Sequence, residues 1–184
     1  MLKKENCQVF SSGLRGAEAA FGAEAAGYGI RETVFTFAGH ANERVEAHQV
    51  IILADEELQR GNISMEIVSK MMHRNYYEAE KIRRVLQTIF HVINSGHQVF
   101  VVGTIMPDKT VKGGTGWAVE LAKLFNRPLS VFDQNSDKWF NWQNGWQEGR
   151  AKIEFATMAC SGTRNLSEAG RQAIKELFAA AFAG

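Results

Sequence analysis

The sequence predicts an α/β domain in which helices cover both faces of a mainly parallel sheet. Two features predict it. Short apolar runs rich in β-branched and aromatic residues recur along the chain, and helical patterns fill the intervals between them. Glycine-rich loops lie between run and helix, so the order strand, glycine loop, helix, strand repeats, as right-handed crossovers require.

Taken in order, Cys7–Ser11 (CQVFS) is the first predicted strand, followed by alanine-rich Ala17–Ala26 with its high helix propensity. Glu32–Phe37 (ETVFTF) is the next strand, and Gln49–Leu53 (QVIIL) is a candidate sixth. Glu56–Met72 reads as one or two helices, interrupted near Gly61-Asn62. Between Tyr76 and Asn94, Ile82, Val85, Leu86, Ile89 and Ile93 recur at helical spacing and make one apolar stripe. His97–Gly103 (HQVFVVG) and Pro128–Asp133 (PLSVFD) are strands, with a buried helix over Trp117–Phe125 between them. Gln134–Lys152 reads as irregular, carrying Trp139, Trp142, Trp146 and an Asn144-Gly145 turn signal. Glu154–Cys160 (EFATMAC) is the last strand. Ser167 and Glu168 open the last helix as cap and first-turn acid, with Ile174, Leu177, Phe178 and Ala181 on one face. No solenoid repeat or low-complexity linker interrupts the pattern, so residues 1–184 read as a single Rossmann-like three-layer domain.

Composition narrows the function. The 184 residues are 45% apolar, enough for a sizeable core, with 21 basic against 20 acidic side chains. A net charge of +1 argues against a protein that wraps a polyanion. No apolar run approaches the length of a membrane span, and MLKKENCQVF lacks a signal-peptide core, so the expectation is cytoplasmic with no membrane partner. Cys7 and Cys160 build neither a disulfide framework nor a zinc knuckle, and two free thiols are expected. The five histidines show no metal-binding spacing, so neither a metal nor a cofactor is expected.

In an open parallel sheet, ligands bind beyond the carboxyl ends of the strands. Small residues, hydroxyls and charges follow every predicted strand: Ser11–Glu18, Ala38-Gly39-His40, Gly103-Thr104, Asp133-Gln134 and Ser161–Arg164. Lys112–Glu120 (KGGTGWAVE) is the sharpest segment. Glycines before a helix let the backbone approach a ligand, and free N–H groups with the helix dipole attract an anion. Thr115 adds a hydroxyl and Lys112 a charge. Glu120, one turn beyond Gly116, leans toward the helix start and can reach ribose hydroxyls or a water. The structural alternative is tight helix–sheet packing, with Glu120 capping an amide.

Gly113–Glu120 resembles the PGGxGTxxE motif of the LOG-type, lysine-decarboxylase-like phosphoribohydrolases, with Lys112 at the proline position and Trp117 at the threonine. Ser11–Glu18 (SSGLRGAE) resembles the SGGAxGAD segment of the wider SLOG superfamily of DprA/LOG-related domains, with Ser12 where glycine is usual. Met158–Arg164 (MACSGTR) resembles the FAGIGSR segment that normally opens such domains but here comes last. The chain thus resembles a circularly permuted member of the YpsA-like branch. The resemblance implies a nucleotide or ribose-phosphate ligand. In LOG-type enzymes the motif glutamate and an arginine help hydrolyse the bond between base and ribose 5′-phosphate. Glu120 matches that glutamate; the arginine's helix offers Arg83, Arg84 and His91 without an RK-type match.

The expected site therefore has Glu120 and Arg164 as catalytic candidates. Ser12, Gly13, Arg15, Gly16, Glu18, His40, Gly103, Thr104, Lys112, Gly113, Gly114, Thr115, Gly116, Gly162, Thr163 and Arg164 are expected to contact the ligand. Each has a plain reading as well: Arg164 a surface ion pair, His40 and His91 packing residues, Arg74, Lys81, Arg83 and Arg84 a solvated helix face. The bulk of Trp117 and Cys160 is expected to restrict ligand size. The leading expectation is a nucleotide-binding or sensing domain. The alternatives are a nucleoside-monophosphate phosphoribohydrolase and, third, a DNA-associated protein, although nucleic acid sits poorly with the charge. Trp139, Trp142 and Trp146 offer rings that can stack a base, but their spacings of three and four fit better a role covering the sheet or a subunit interface, and the apolar, tryptophan-bearing segments suggest a homo-oligomer.

Overall fold

The computed structural model describes residues 2–76 and 79–183. Within them one sheet contains β1 (Gln8–Ser11), β2 (Arg31–Thr36), β3 (Gln49–Ile52), β4 (Gln98–Gly103), β5 (Leu129–Asp133), β6 (Lys138–Trp142), β7 (Trp146–Glu148) and β8 (Thr157–Gly162). Their order is β3-β2-β1-β8-β4-β5-β6-β7. The first six in that order are parallel, and β6 and β7 add an antiparallel edge. The helices are α1 (Ala17–Gly27), α2 (Asp55–Gln59), α3 (Asn62–Met72), α4 (Glu80–Ser95), α5 (Thr115–Leu124) and α6 (Glu168–Phe182).

Strand side chains alternate between two cores, which is why the runs are apolar throughout. Val99 and Val101 of β4 meet Met65, Ile93, Trp117 and Leu121 beneath α3, α4 and α5. Phe100 and Val102 meet Phe21, Met158, Ile174 and Phe178 beneath α1 and α6. The architecture is thus Rossmann-like, with a helical layer on each face. Counted from β8, the parallel strands lie 4-3-2-1-5-6: the chain winds outward on one side, then crosses back to the other. That is the doubly wound arrangement with its opening unit moved to the end, as a circular permutation requires.

All six predicted strands are present, although β8 begins at Thr157 and extends to Gly162. The helix break falls at Arg60-Gly61, where a Cβ on Gly61 would lie 2.5 Å from the Phe90 ring. Helix α4 begins at Glu80; Tyr77 and Glu78, inside the predicted Tyr76–Asn94 helix, fall outside the described residues. Ser167 caps α6, its Oγ accepting from the Gly170 amide at 3.0 Å. Cys7 and Cys160 are buried free thiols.

One region reads differently from its sequence. Lys138–Glu148 is a β-hairpin rather than irregular chain, turning through Asn144 at φ +55° and Gly145. Trp142 and Trp146 face each other across it with ring centroids 5.0 Å apart, and Trp139 packs edge-on to Phe100 and Phe132. The tryptophans pack on the chain's own sheet edge, one of the placements expected of them. No helix among the described residues is long and apolar enough to cross a membrane.

Candidate functional site

The strand order reverses between β8 and β4, and the loops leaving them diverge there. A cavity of about 650 Å³ opens at this carboxyl edge. It is lined by Gly103 and Thr104 after β4, Ser161–Asn165 at the end of β8, Leu14 and Glu18 from the β1–α1 connection, Gln134 after β5, and Lys112–Thr115 before α5. Ile82, Val85, Leu86 and Ile89 of α4 supply an apolar side, with Lys81 at their end.

The glycine loop is built to present donors. Gly113 has φ +69° and, like Gly114, open space where a Cβ would be. Among the described residues, nothing accepts from the amides of Gly113, Gly114 or Thr115, the orphan donors expected where a helix begins. Arg74 helps to keep it so. Its guanidinium donates to the carbonyls of Gly113 (2.8 Å) and Val111 (3.1 Å), engaging acceptors that would otherwise offset those donors. Lys112 is exposed beside the loop. Together these give a helix start with open amide donors and a cation at its edge, the arrangement that suits an anion.

The β1–α1 loop is tied to the β8–α6 loop. Gly16 has φ +96°, and a Cβ there would collide with the Thr163 carbonyl, which accepts from the Ala17 amide at 3.0 Å. That contact brings the two ends of the chain together, so Arg164 and Gly114 line one cavity.

Glu18 sits within this junction, 4% exposed. Its Oε2 accepts from the Ser12 (3.1 Å) and Leu14 (3.2 Å) amides, and its Oε1 from the Ser161 hydroxyl (3.2 Å). Burial pushes its carboxyl up to about 7, against the pull of these donors and of Arg164. His40 is held down to about 4, by burial first and then by the charges of Arg164 and Lys81. It stacks on Phe37 at 4.6 Å and shares a hydrogen bond with Thr36, so it is neutral at pH 7.

Of the residues expected at the ligand, Glu18, Gly103, Thr104, Lys112, Gly113, Gly114, Thr115, Gly162, Thr163 and Arg164 line this cavity. The others do not. Ser12 turns its hydroxyl to Thr88 (3.2 Å), Gly13 lies under Asn42 and Val34, and Gly116 lies against Val111 and Arg74. His40 lies outside the lining, and Arg15 and Gly16 open onto a neighbouring cavity. Glu120 is the main correction. Its Oε1 accepts from Lys123 Nζ at 2.7 Å, and that ammonium sits 3.8 Å from the Trp142 ring centroid. The carboxylate is drawn toward the hairpin and does not line the cavity. Trp117 packs near Tyr76, and Cys160 lies beneath α1 and α6, so neither narrows the pocket. Arg84 pairs with Asp55 and Glu80, and His91 bonds the Glu57 carbonyl.

The strand-end segments already held Leu14, Gln134 and Ser161, though not among the expected ligand contacts; Lys81, read as part of a solvated helix face, Asn165 and the apolar residues of α4 were not expected at the cavity. The α4 stripe was visible, but periodicity does not tell which turn of a core-facing stripe passes beyond the sheet edge.

No family model matches the chain, and no curated protein matches it. Among solved structures, the crystal structure of a "Putative molybdenum carrier protein" from Syntrophus aciditrophicus SB superposes with a TM-score of 0.52 at 14% identity, covering 95% of this chain and 94% of that one. At that identity the match supports a shared Rossmann-like α/β fold, consistent with the strand order described above.

Proposed function

We propose that the cavity between the ends of β8 and β4 binds a nucleotide or ribose-phosphate derivative, and that the chain is a ligand-binding or sensing domain. One observation carries this reading: Gly113, Gly114 and Thr115, whose amides have no acceptor among the described residues, line a mononucleotide-sized cavity together with Lys112 and Arg164. The phosphate meets the glycine loop, and the apolar residues of α4 receive the base. The resemblance to SLOG domains agrees with such a ligand.

The test is thermal unfolding with the four ribonucleoside 5′-monophosphates. At least one should raise the melting temperature, and Lys112→Ala should weaken its affinity about tenfold, the loss of one charge-assisted contact. Failure of all four, and of the corresponding 3′,5′-bisphosphates, to stabilise the protein overturns the reading. Sodium molybdate belongs in the same titration, because the fold is shared with a protein whose name says molybdenum carrier and a tetrahedral oxyanion suits the same amides. Stabilisation by molybdate alone would replace the nucleotide with an inorganic anion.

A hydrolase is the second reading, and the position of Glu18 favours a form of it. Glu18 is the carboxylic acid among the cavity-lining residues, whereas Glu120 is not among them. A buried carboxyl near pH 7 suits proton transfer to a leaving base. Release of free base, lost in Glu18→Gln and retained in Glu120→Gln, would establish turnover.

A further inference from the structure

Beyond the seam where Gly16 meets Thr163 lies a second cavity, of about 530 Å³, walled by α1 on one side and by Leu166 and Arg171 on the other. Arg15, Arg44, Arg164 and Arg171 line it, against Glu43. Arg44 is already engaged, its Nε and Nη2 gripping the buried Glu32 carboxylate at 3.0 and 2.7 Å. That pair crosses Gly22, where a Cβ would strike the Glu32 carboxylate, so the helix leaves room for it. Arg171 approaches only the exposed Glu168, at 3.9 Å. Among the described residues, Arg15 and Arg164 have no ion-pair partner. Four arginines thus line the concavity against one lining acid, Glu43, and that excess of positive charge favours a bound anion.

Arg164 lines both cavities, and its charge acts on Glu18 and His40 on the nucleotide side. Gly16, which lines the second cavity, lies directly against Thr163, which lines the first. We propose that the ligand of the main cavity carries a second anionic group, which lies in the arginine-lined cavity with Arg164 shared between the two. The proposal rests on the nucleotide reading above and narrows it to a class: nucleotides with phosphates at two separated positions, rather than simple 5′-monophosphates. Arg15 and Arg171 grip the distal group, and the glycine loop holds the proximal one.

The experiment is calorimetric titration of the 5′-monophosphates against the corresponding 3′,5′-bisphosphates and 5′-phosphorylated dinucleotides. At least one doubly anionic probe should bind about tenfold or more tightly than its monophosphate. In the Arg15→Ala/Arg171→Ala double variant that ratio should fall to near one. Arg31→Ala, which removes a positive charge at the start of β2, should leave the ratio intact and so excludes a net-charge effect. Equal affinity for singly and doubly anionic probes, or a ratio that survives the double variant, overturns the second site while leaving the main cavity standing. Failure of every probe to bind overturns both.

Discussion

The β1–α1 and β4–α5 connections have the same outline: glycines, then a helix, then an acid within its first two turns. They do opposite things. In the first, Glu18 is the second residue of α1 and folds back onto the amides of Ser12 and Leu14, so the loop's donors are taken by a carboxyl group of its own. In the second, Glu120 is a turn farther along, Lys123 takes its carboxylate, and the amides of Gly113, Gly114 and Thr115 stay open. A glycine loop before a helix is a binding site only where nothing covalently attached has already filled it.

The contrast can be broken at three points. The largest effect is expected from Gly16→Val. A β-branched residue at φ +96°, against the Thr163 carbonyl, should cost about 4 kcal/mol or prevent folding, read by urea denaturation. Glu120→Ala comes next. It strands the Lys123 ammonium in a largely buried site and should destabilise by about 3 kcal/mol. Nucleotide affinity should stay within about twofold, since one charge-assisted contact is worth roughly tenfold and Glu120 makes none with the ligand. A large loss of affinity would return Glu120 to the site.

Glu18→Gln gives the smallest effect and the most specific one. The native carboxyl titrates near 7, above its ordinary 4.5, so the folded state holds a proton that the unfolded chain has released. The stability this provides is complete below pH 4.5 and is lost as pH rises through 7. The variant lacks that dependence, whereas His40, held down to about 4, acts in both proteins and cancels from the comparison. The gap between wild type and variant should be wider at pH 5 than at pH 7.5, by about 2 kcal/mol. A gap independent of pH would mean that Glu18 is ionised throughout.

The parallel strands were legible because β4, β5 and β8 are buried on both faces and so read as unbroken apolar runs. The hairpin was not, because β6 and β7 are half-exposed antiparallel strands whose tryptophans are interspersed with polar Lys138, Asn141 and Gln147. The turn residues Asn144-Gly145 were the available signal. Most of the site was legible too, since the strand-end rule found Gly103, Thr104, Gly162, Thr163 and the Lys112 loop from position alone. What failed was neighbourhood. Helix geometry gave Glu120 its reach but did not reveal that Lys123, itself seated over Trp142, would take its carboxylate. Arg74 read as a solvated cation because the carbonyl it grips, at Gly113, is distant in sequence.

The placement of β8 has a consequence for assembly. β1 pairs with β2 and β8, and β4 pairs with β5 and β8, so the two halves of the sheet share no ladder of their own. A nascent chain leaving the ribosome therefore carries two half-sheets with bare inner edges until its penultimate element emerges and closes the gap. Until then β1 and β4 are open to pairing with other chains, and the binding cleft cannot form.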